Sequence, residues 1–249
     1  MRSASWKFSV ALLGAFGAVE APARSADVGA ITGQIVLDGE PPKLKKKVTS
    51  AAVAACSDVP NEDLVVDDET MGIANVVVFL RKAPDGMPSE LKASEEDAVT
   101  FDQKDCVFLP HVLVVRTDQA VHCISNDAVA HNVHTHPFKN TGVNFAIAAN
   151  TLTPVQVPMK QTESLPVKVS CDMHSWMTAW WVVTDHPYVA VTDKEGKFKI
   201  ENLPVGEHVF TVWQEKAGYL DRNYRVNVAA GETELAPLKA PLAKFKLEQ

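Results

Sequence analysis

The chain has 249 residues, 46% of them hydrophobic and 22% charged, with a formal net charge of −7. That is ordinary globular material, long enough for one large or two small domains, and it excludes a disordered or fibrous chain. The acidic balance argues against a nucleic-acid partner and permits steering toward a basic protein. The one basic run, KLKKK at 43–47, is too short and isolated to suggest more than a solvated loop.

In chain order, Arg2 and Lys7 precede an apolar run at 8–19, and the small residues Ala21-Pro22-Ala23 follow. This is the pattern of a secretory signal peptide, expected at 1–23. The mature protein is then expected to be periplasmic or secreted, with no membrane span, because no other apolar run is long enough. Residues 30–37 alternate and end at Asp38-Gly39, a strand followed by turn residues. Residues 43–70 are polar, with at most one helical turn near 51–56. Residues 74–80 (ANVVVFL) form a strand apolar enough to be buried on both faces. A turn cluster at 83–88 and an acidic stretch at 89–97, with at most a short helix, form a linker.

Two short strands follow at 112–116 and 119–124, then a polar turn at 125–127, and His131-Asn132-Val133-His134 opens the next segment. Val167, Val169 and Cys171 alternate like one face of a strand, and residues 178–184 (TAWWVVT) form another. From 189 to 213 short strands alternate with turns, so the fold class is all-β.

Cys171, His174 and Met177 sit at Cys-x2-His-x2-Met spacing on the loop joining two strands, where three soft donors can converge. Thiolate and thioether favour copper, and two His, one Cys and a weak axial Met make the blue-copper electron-transfer arrangement. His131-x2-His134-x-His136 is a competing imidazole cluster that would suit zinc, at the cost of leaving Cys171 and Met177 idle. His111, beside Pro110 at a strand entry, is a supporting group, a surface residue or a replacement ligand.

The order strand, Asp-Gln, strand, Ser-Asn-Asp, His-Asn-Val, then Cys-x2-His-x2-Met some forty residues later, resembles the cupredoxins, especially the amicyanin and pseudoazurin branch. The likeness covers roughly 98–185. It implies a Greek-key β-sandwich over 93–185 holding one type 1 copper by His131, Cys171, His174 and Met177. It also implies that Asn132 steadies the loop carrying Cys171. The remaining cysteines are Cys56, Cys106 and Cys123. Cys123 lies in an apolar strand, whereas Cys56 and Cys106 lie in polar, loop-like surroundings, which favours that pair as a disulfide without fixing it.

Thr192-Asp193-x2-Gly196-x-Phe198-x-Ile200-x2-Leu203-Pro204-x-Gly206-x-His208 is similar to the carboxypeptidase regulatory-like β-sandwich. That sandwich opens with a strand of the type at 31–36, and its next strand looks like 74–80. Residues 29–92 and 186–249 are therefore expected to form one small sandwich, with the cupredoxin domain inserted in it or joined to it. The expected function is a single-electron carrier rather than an enzyme, with an unidentified redox partner docking near His174 and Trp176. A copper carrier or sensor is the alternative, using the same residues.

Overall fold

A computed structural model describes residues 27–47, 56–57 and 59–247. The signal segment at 1–23 and most of the helical turn expected near 51–56 lie outside these residues. Nearly all the regular structure is β. In chain order the strands are β1 (Val28–Asp38), β2 (Val77–Leu80), β3 (Ala98–Lys104), β4 (Val107–Leu109), β5 (Val112–Arg116) and β6 (Ala120–Cys123). There follow β7 (His131–His136), β8 (Asn144–Ile147), β9 (Val155–Pro158), β10 (Val167–Ser170), β11 (Thr178–Thr184) and β12 (Val189–Val191). The last are β13 (Lys197–Pro204), β14 (Gly206–Gln214), β15 (Gly218–Val228), β16 (Gly231–Glu234) and β17 (Leu238–Pro241). The acidic stretch after the turn cluster contributes only a 3-10 turn, Ser89–Leu91.

These strands build four sheets. Two run β5-β11-β10-β7-β8 and β4-β3-β6-β9, and they enclose a core around Phe101, Phe108, Val133, Val169 and Trp181. Parallel pairing of β3 with β6 and of β5 with β11, among otherwise antiparallel neighbours, makes this a Greek-key, cupredoxin-like sandwich. The other two sheets run β13-β1-β16, with β17 also on β1, and β12-β2-β14-β15. Between them lie Ile31, Ile35, Val78, Ile200, Phe210 and Val212.

The apolar run at β2 has a specific reason to lack alternation. Val78 and Leu80 point into the core of their own sandwich. Val77 and Phe79 point outward against Val112 and Val182 of the cupredoxin-like sandwich. The outer faces of β2 and β14 thus meet those of β5 and β11, and both faces of these strands leave water. Where the chain passes between the two sets of sheets, the buried guanidinium of Arg116 donates to the carbonyls of Lys92 (2.9 Å) and Asp185 (3.3 Å). One side chain therefore ties the outgoing and returning segments together.

Gly72 faces the turn 193–196, joining chain from before the cupredoxin-like strands to chain from after them. A Cβ on Gly72 would lie 1.9 Å from the Glu195 carbonyl oxygen, a backbone atom that cannot swing aside. Gly72→Ala should therefore destabilise the fold by roughly 3 kcal/mol or more, the upper end of over-packing penalties. Urea unfolding followed by tryptophan fluorescence measures it; an unchanged midpoint would mean the two segments do not touch in solution.

Candidate metal centre

The register of β7 against β10 brings the site together. Ser170 pairs with His134 and Val169 with Thr135, so chain leaving Ser170 runs alongside residues 131–133. The loop 171–177 closes on itself as the Cys171 N–H donates to the Met177 carbonyl (3.2 Å) and the Met177 N–H to the His174 carbonyl (2.9 Å). Asn132 then clamps it, its Oδ1 accepting the backbone N–H groups of Asp172 (2.7 Å) and Met173 (3.3 Å). The Asn132 backbone N–H points at Cys171 Sγ (3.5 Å), and its Nδ2 donates to Asn144 on β8 (2.8 Å).

Within this frame His131, Cys171 and His174 are all buried, and one donor atom from each lies within 4.8 Å of the others. The two Nδ1 atoms face each other at 2.9 Å, and Cys171 Sγ is 3.9 Å from His174 Nδ1. Two buried imidazole lone pairs and a thiol aimed at one point repel or leave a polar atom unpaired unless a proton or a cation joins them. Donor separations of this size suit metal–nitrogen and metal–sulfur bonds of ~2.0–2.3 Å, so the residues fit a metal ion. Burial, then the neighbouring His131, holds His174 below the ordinary imidazole range, which keeps it neutral and able to ligate. Met177 is 1% exposed and belongs to the same apolar cluster as Cys171.

The pleat of β7 decides between the imidazoles. His131 shares one face with Val133 and Thr135, while His134 and His136 lie on the other. His134 Nδ1 meets Asp172 (3.0 Å) and His136 Nε2 meets Ser170 Oγ (2.9 Å). The three imidazoles therefore do not converge on one point. His111 is also elsewhere. Its Nε2 pairs with Glu215 on the β14–β15 turn, and Glu62 lies 3.5 Å from Nδ1. Burial works against its charge, yet Glu215 and Glu62 outweigh burial and push His111 up to about 9.

No family model matches the chain, and no curated protein matches it. Among solved structures, 36% of the chain is similar to a copper-containing nitrite reductase from Thermus scotoductus, at 15% identity and TM-score 0.32. The chain spans only 23% of that enzyme's length. A purple cupredoxin from Nitrosopumilus maritimus matches 34% of the chain over 97% of its own length, at 12% identity and TM-score 0.29. A reduced amicyanin variant matches 34% over 81% of its own length, at 18% identity and TM-score 0.30.

Two contributors, Asp127 and Cys106, were not legible as site residues in the sequence, and a third, Trp176, sits closer to the ligands than expected. Asp127, in what reads as a polar turn, places Oδ2 3.0 Å from His131 Nε2. Burial raises its carboxyl, but the Cys106 amide and His131 outweigh that and the net shift is downward. Cys106, joined to Cys56 by a disulfide with a Cα–Cα distance of 5.5 Å, donates its N–H to the same Oδ2 (2.7 Å). Trp176, expected beside His174 where a partner docks, is half-buried and stacks on His174 at 4.9 Å between ring centres. The i to i+4 spacing of Asp127 and His131 was the one signal available, and on a turn it carries little weight.

Proposed function

We propose that this protein is an exported type 1 copper protein that carries single electrons, with one copper per chain held by His131, Cys171, His174 and axial Met177. The observation that carries the reading is the buried His131–Cys171–His174 group, because a thiol and two imidazoles aimed at one point are the trigonal His2Cys donor set. A bound copper would supply the one-electron couple. The chain's own residues do the rest. Asn132 holds the 171–173 backbone, which limits how far Cys171 moves when the metal's charge changes. His174, slightly less buried than His131 and covered by Trp176, offers the shortest route to the surface. A set of four protein donors leaves no position for substrate, which favours a carrier over an enzyme. A closed, hydrogen-bonded site also suits electron transfer better than metal delivery.

Domain layout, docking surface and location belong to this reading. Residues 29–92 and 186–249 act as one regulatory-like sandwich into which 93–185 is inserted, a layout supported by the division of strands among sheets. A groove of about 810 Å³ beside Trp176 has Trp180 and Phe245 among its lining residues and is bordered by the exposed Lys43, Lys45 and Lys168. Net charge favours a basic partner, whereas this local surface favours an acidic redox protein docking beside Trp176, because screening leaves only near charges effective at contact. The signal-like segment at 1–23 supports a periplasmic or secreted location, and among the described residues no helix is long and apolar enough to cross a membrane.

The test is the visible and EPR spectrum after addition of Cu(II). An intense blue or green band with narrow copper hyperfine splitting is expected. Met177→Ala should keep the colour and shift the reduction potential. A colourless protein with ordinary tetragonal copper parameters would overturn the assignment.

A further inference from the structure

Cys106 occupies an unusual position relative to the site. It is fully buried, and it and Asp105 both take left-handed backbone angles (φ +60° and +52°) in the turn between β3 and β4. Both of its peptide groups meet residues that touch the candidate ligands. Its N–H donates to Asp127 Oδ2 (2.7 Å), and that oxygen faces His131 Nε2 (3.0 Å). Its carbonyl accepts the indole N–H of Trp176 (3.2 Å), and Trp176 stacks on His174 with 29° between the rings. The disulfide to Cys56 anchors the residue, and Cys56 and Val59 close an apolar cluster with Cys106, Val129 and Trp176.

Asp127 is itself held from several sides. Besides the Cys106 amide, its Oδ1 faces the Val129 N–H (3.4 Å), its own N–H reaches Ser125 Oγ (3.3 Å), and its carbonyl accepts the Asn150 N–H (2.9 Å). An ionised carboxylate oxygen can only accept, so its contact with Nε2 calls for the proton on Nε2 and leaves the Nδ1 lone pair toward His174 Nδ1. Outer partners of this kind fix the tautomer and ring orientation of a ligand imidazole and raise its basicity.

We propose that Asp127 is the positioning residue that sets the tautomer and orientation of His131, and that the Cys56–Cys106 bridge, through the two peptide groups of Cys106, anchors the supports of both imidazoles at one point. The inference rests on the copper reading for its effect on potential, while its structural half stands without metal. A carboxylate behind His131 stabilises the more highly charged Cu(II) more than Cu(I). Losing it should cost Cu(II) affinity about 10–100-fold, the usual range for outer-partner changes. Each tenfold loss specific to Cu(II) raises a one-electron potential by about 59 mV.

The deciding experiment is a nitrogen-detected imidazole NMR spectrum of the full chain without metal, followed by the reduction potential of the copper-loaded protein. In the wild type, His131 should be in the Nε2–H form; finding the proton on Nδ1 overturns the proposal before any variant is made. Asp127→Asn, nearly the same shape, should mix the tautomers and raise the potential, and Asp127→Leu should do so further. If Asp127→Asn lowers only thermal stability, with tautomer and potential unchanged, the residue is structural and the proposal fails. The double variant Cys56→Ser/Cys106→Ser should displace the resonances of both His131 and His174, whereas a shift of neither removes the bridge from the account. A chain that binds no copper yet shows the expected tautomer response would refute the electron-carrier reading and leave the role of Asp127 standing.

Discussion

Replacing Cys171 by Ser should erase the intense visible band and the narrow hyperfine pattern, leaving at most weak, tetragonal copper. Serine keeps the size of the side chain and can still bond to Asn132 Oδ1, which Cys171 Sγ reaches at 3.3 Å, so the loop should fold as before. What is lost is the soft, polarizable donor that produces sulfur-to-copper charge transfer and selects copper over harder ions. Loss of a direct ligand should exceed the 10–100-fold typical of outer partners, so copper affinity should fall by more than ~100-fold. Absorbance titration with Cu(II), checked by circular dichroism for an intact fold, measures both effects. A variant that kept its colour would show that Cys171 is not the ligand.

Glu215→Ala should be the most damaging change at the contact between the two sandwiches. Glu215 holds His111 Nε2 at 2.5 Å with one oxygen and the Trp180 indole N–H at 3.1 Å with the other. Removing it leaves a buried imidazolium with only the more distant Glu62 (3.5 Å) and orphans a part-buried donor, at a cost of ~3–5 kcal/mol. The pH dependence identifies the cause. His111 titrates near 6.5 when unfolded and at about 9 when folded. A raised folded pKa means stabilisation fully present below pH 6.5 and lost as pH rises through about 9. That difference corresponds to roughly 3 kcal/mol, and Glu215→Ala should sharply reduce the alkaline fall, leaving only the part that Glu62 supports. Urea unfolding at pH 6 and pH 10 makes the comparison. Replacing His111 and Glu215 together by apolar residues of similar volume should recover much of the loss. If both proteins weaken equally at pH 10, His111 does not carry the effect.

Strand recognition from the sequence followed burial. β1, β5, β10 and β11 alternate or run apolar because at least one face enters a core, and each is visible in local pattern. The strands that escaped notice, β8, β9, β15 and β16 among them, bury few side chains and are held mainly by pairing with a neighbour. A strand that needs only a partner's backbone leaves little mark on its own residue types. The Cys56 and Cys106 that stood out as loop cysteines are joined in the structure. That the same bridge supports His131 and His174 was not visible, since each link is a hydrogen bond or ring contact to a distant residue.

By itself the sequence determined the donor chemistry and the local periodicity: a thiol, an imidazole and a thioether at fixed spacing between strands, in an all-β chain. Those properties follow from residue type and near-neighbour spacing, which a string of letters carries in full. Although the resemblance named His131 in advance, only the tertiary structure shows β7 turning His131 toward the core and His134 and His136 to the other face. It alone placed Asp127 behind His131 and paired His111 with Glu215 across two sandwiches. These choices depend on strand register and sheet order, which are set by contacts between residues far apart in the chain. A one-residue slip in β7 would have presented a different set of side chains to the core.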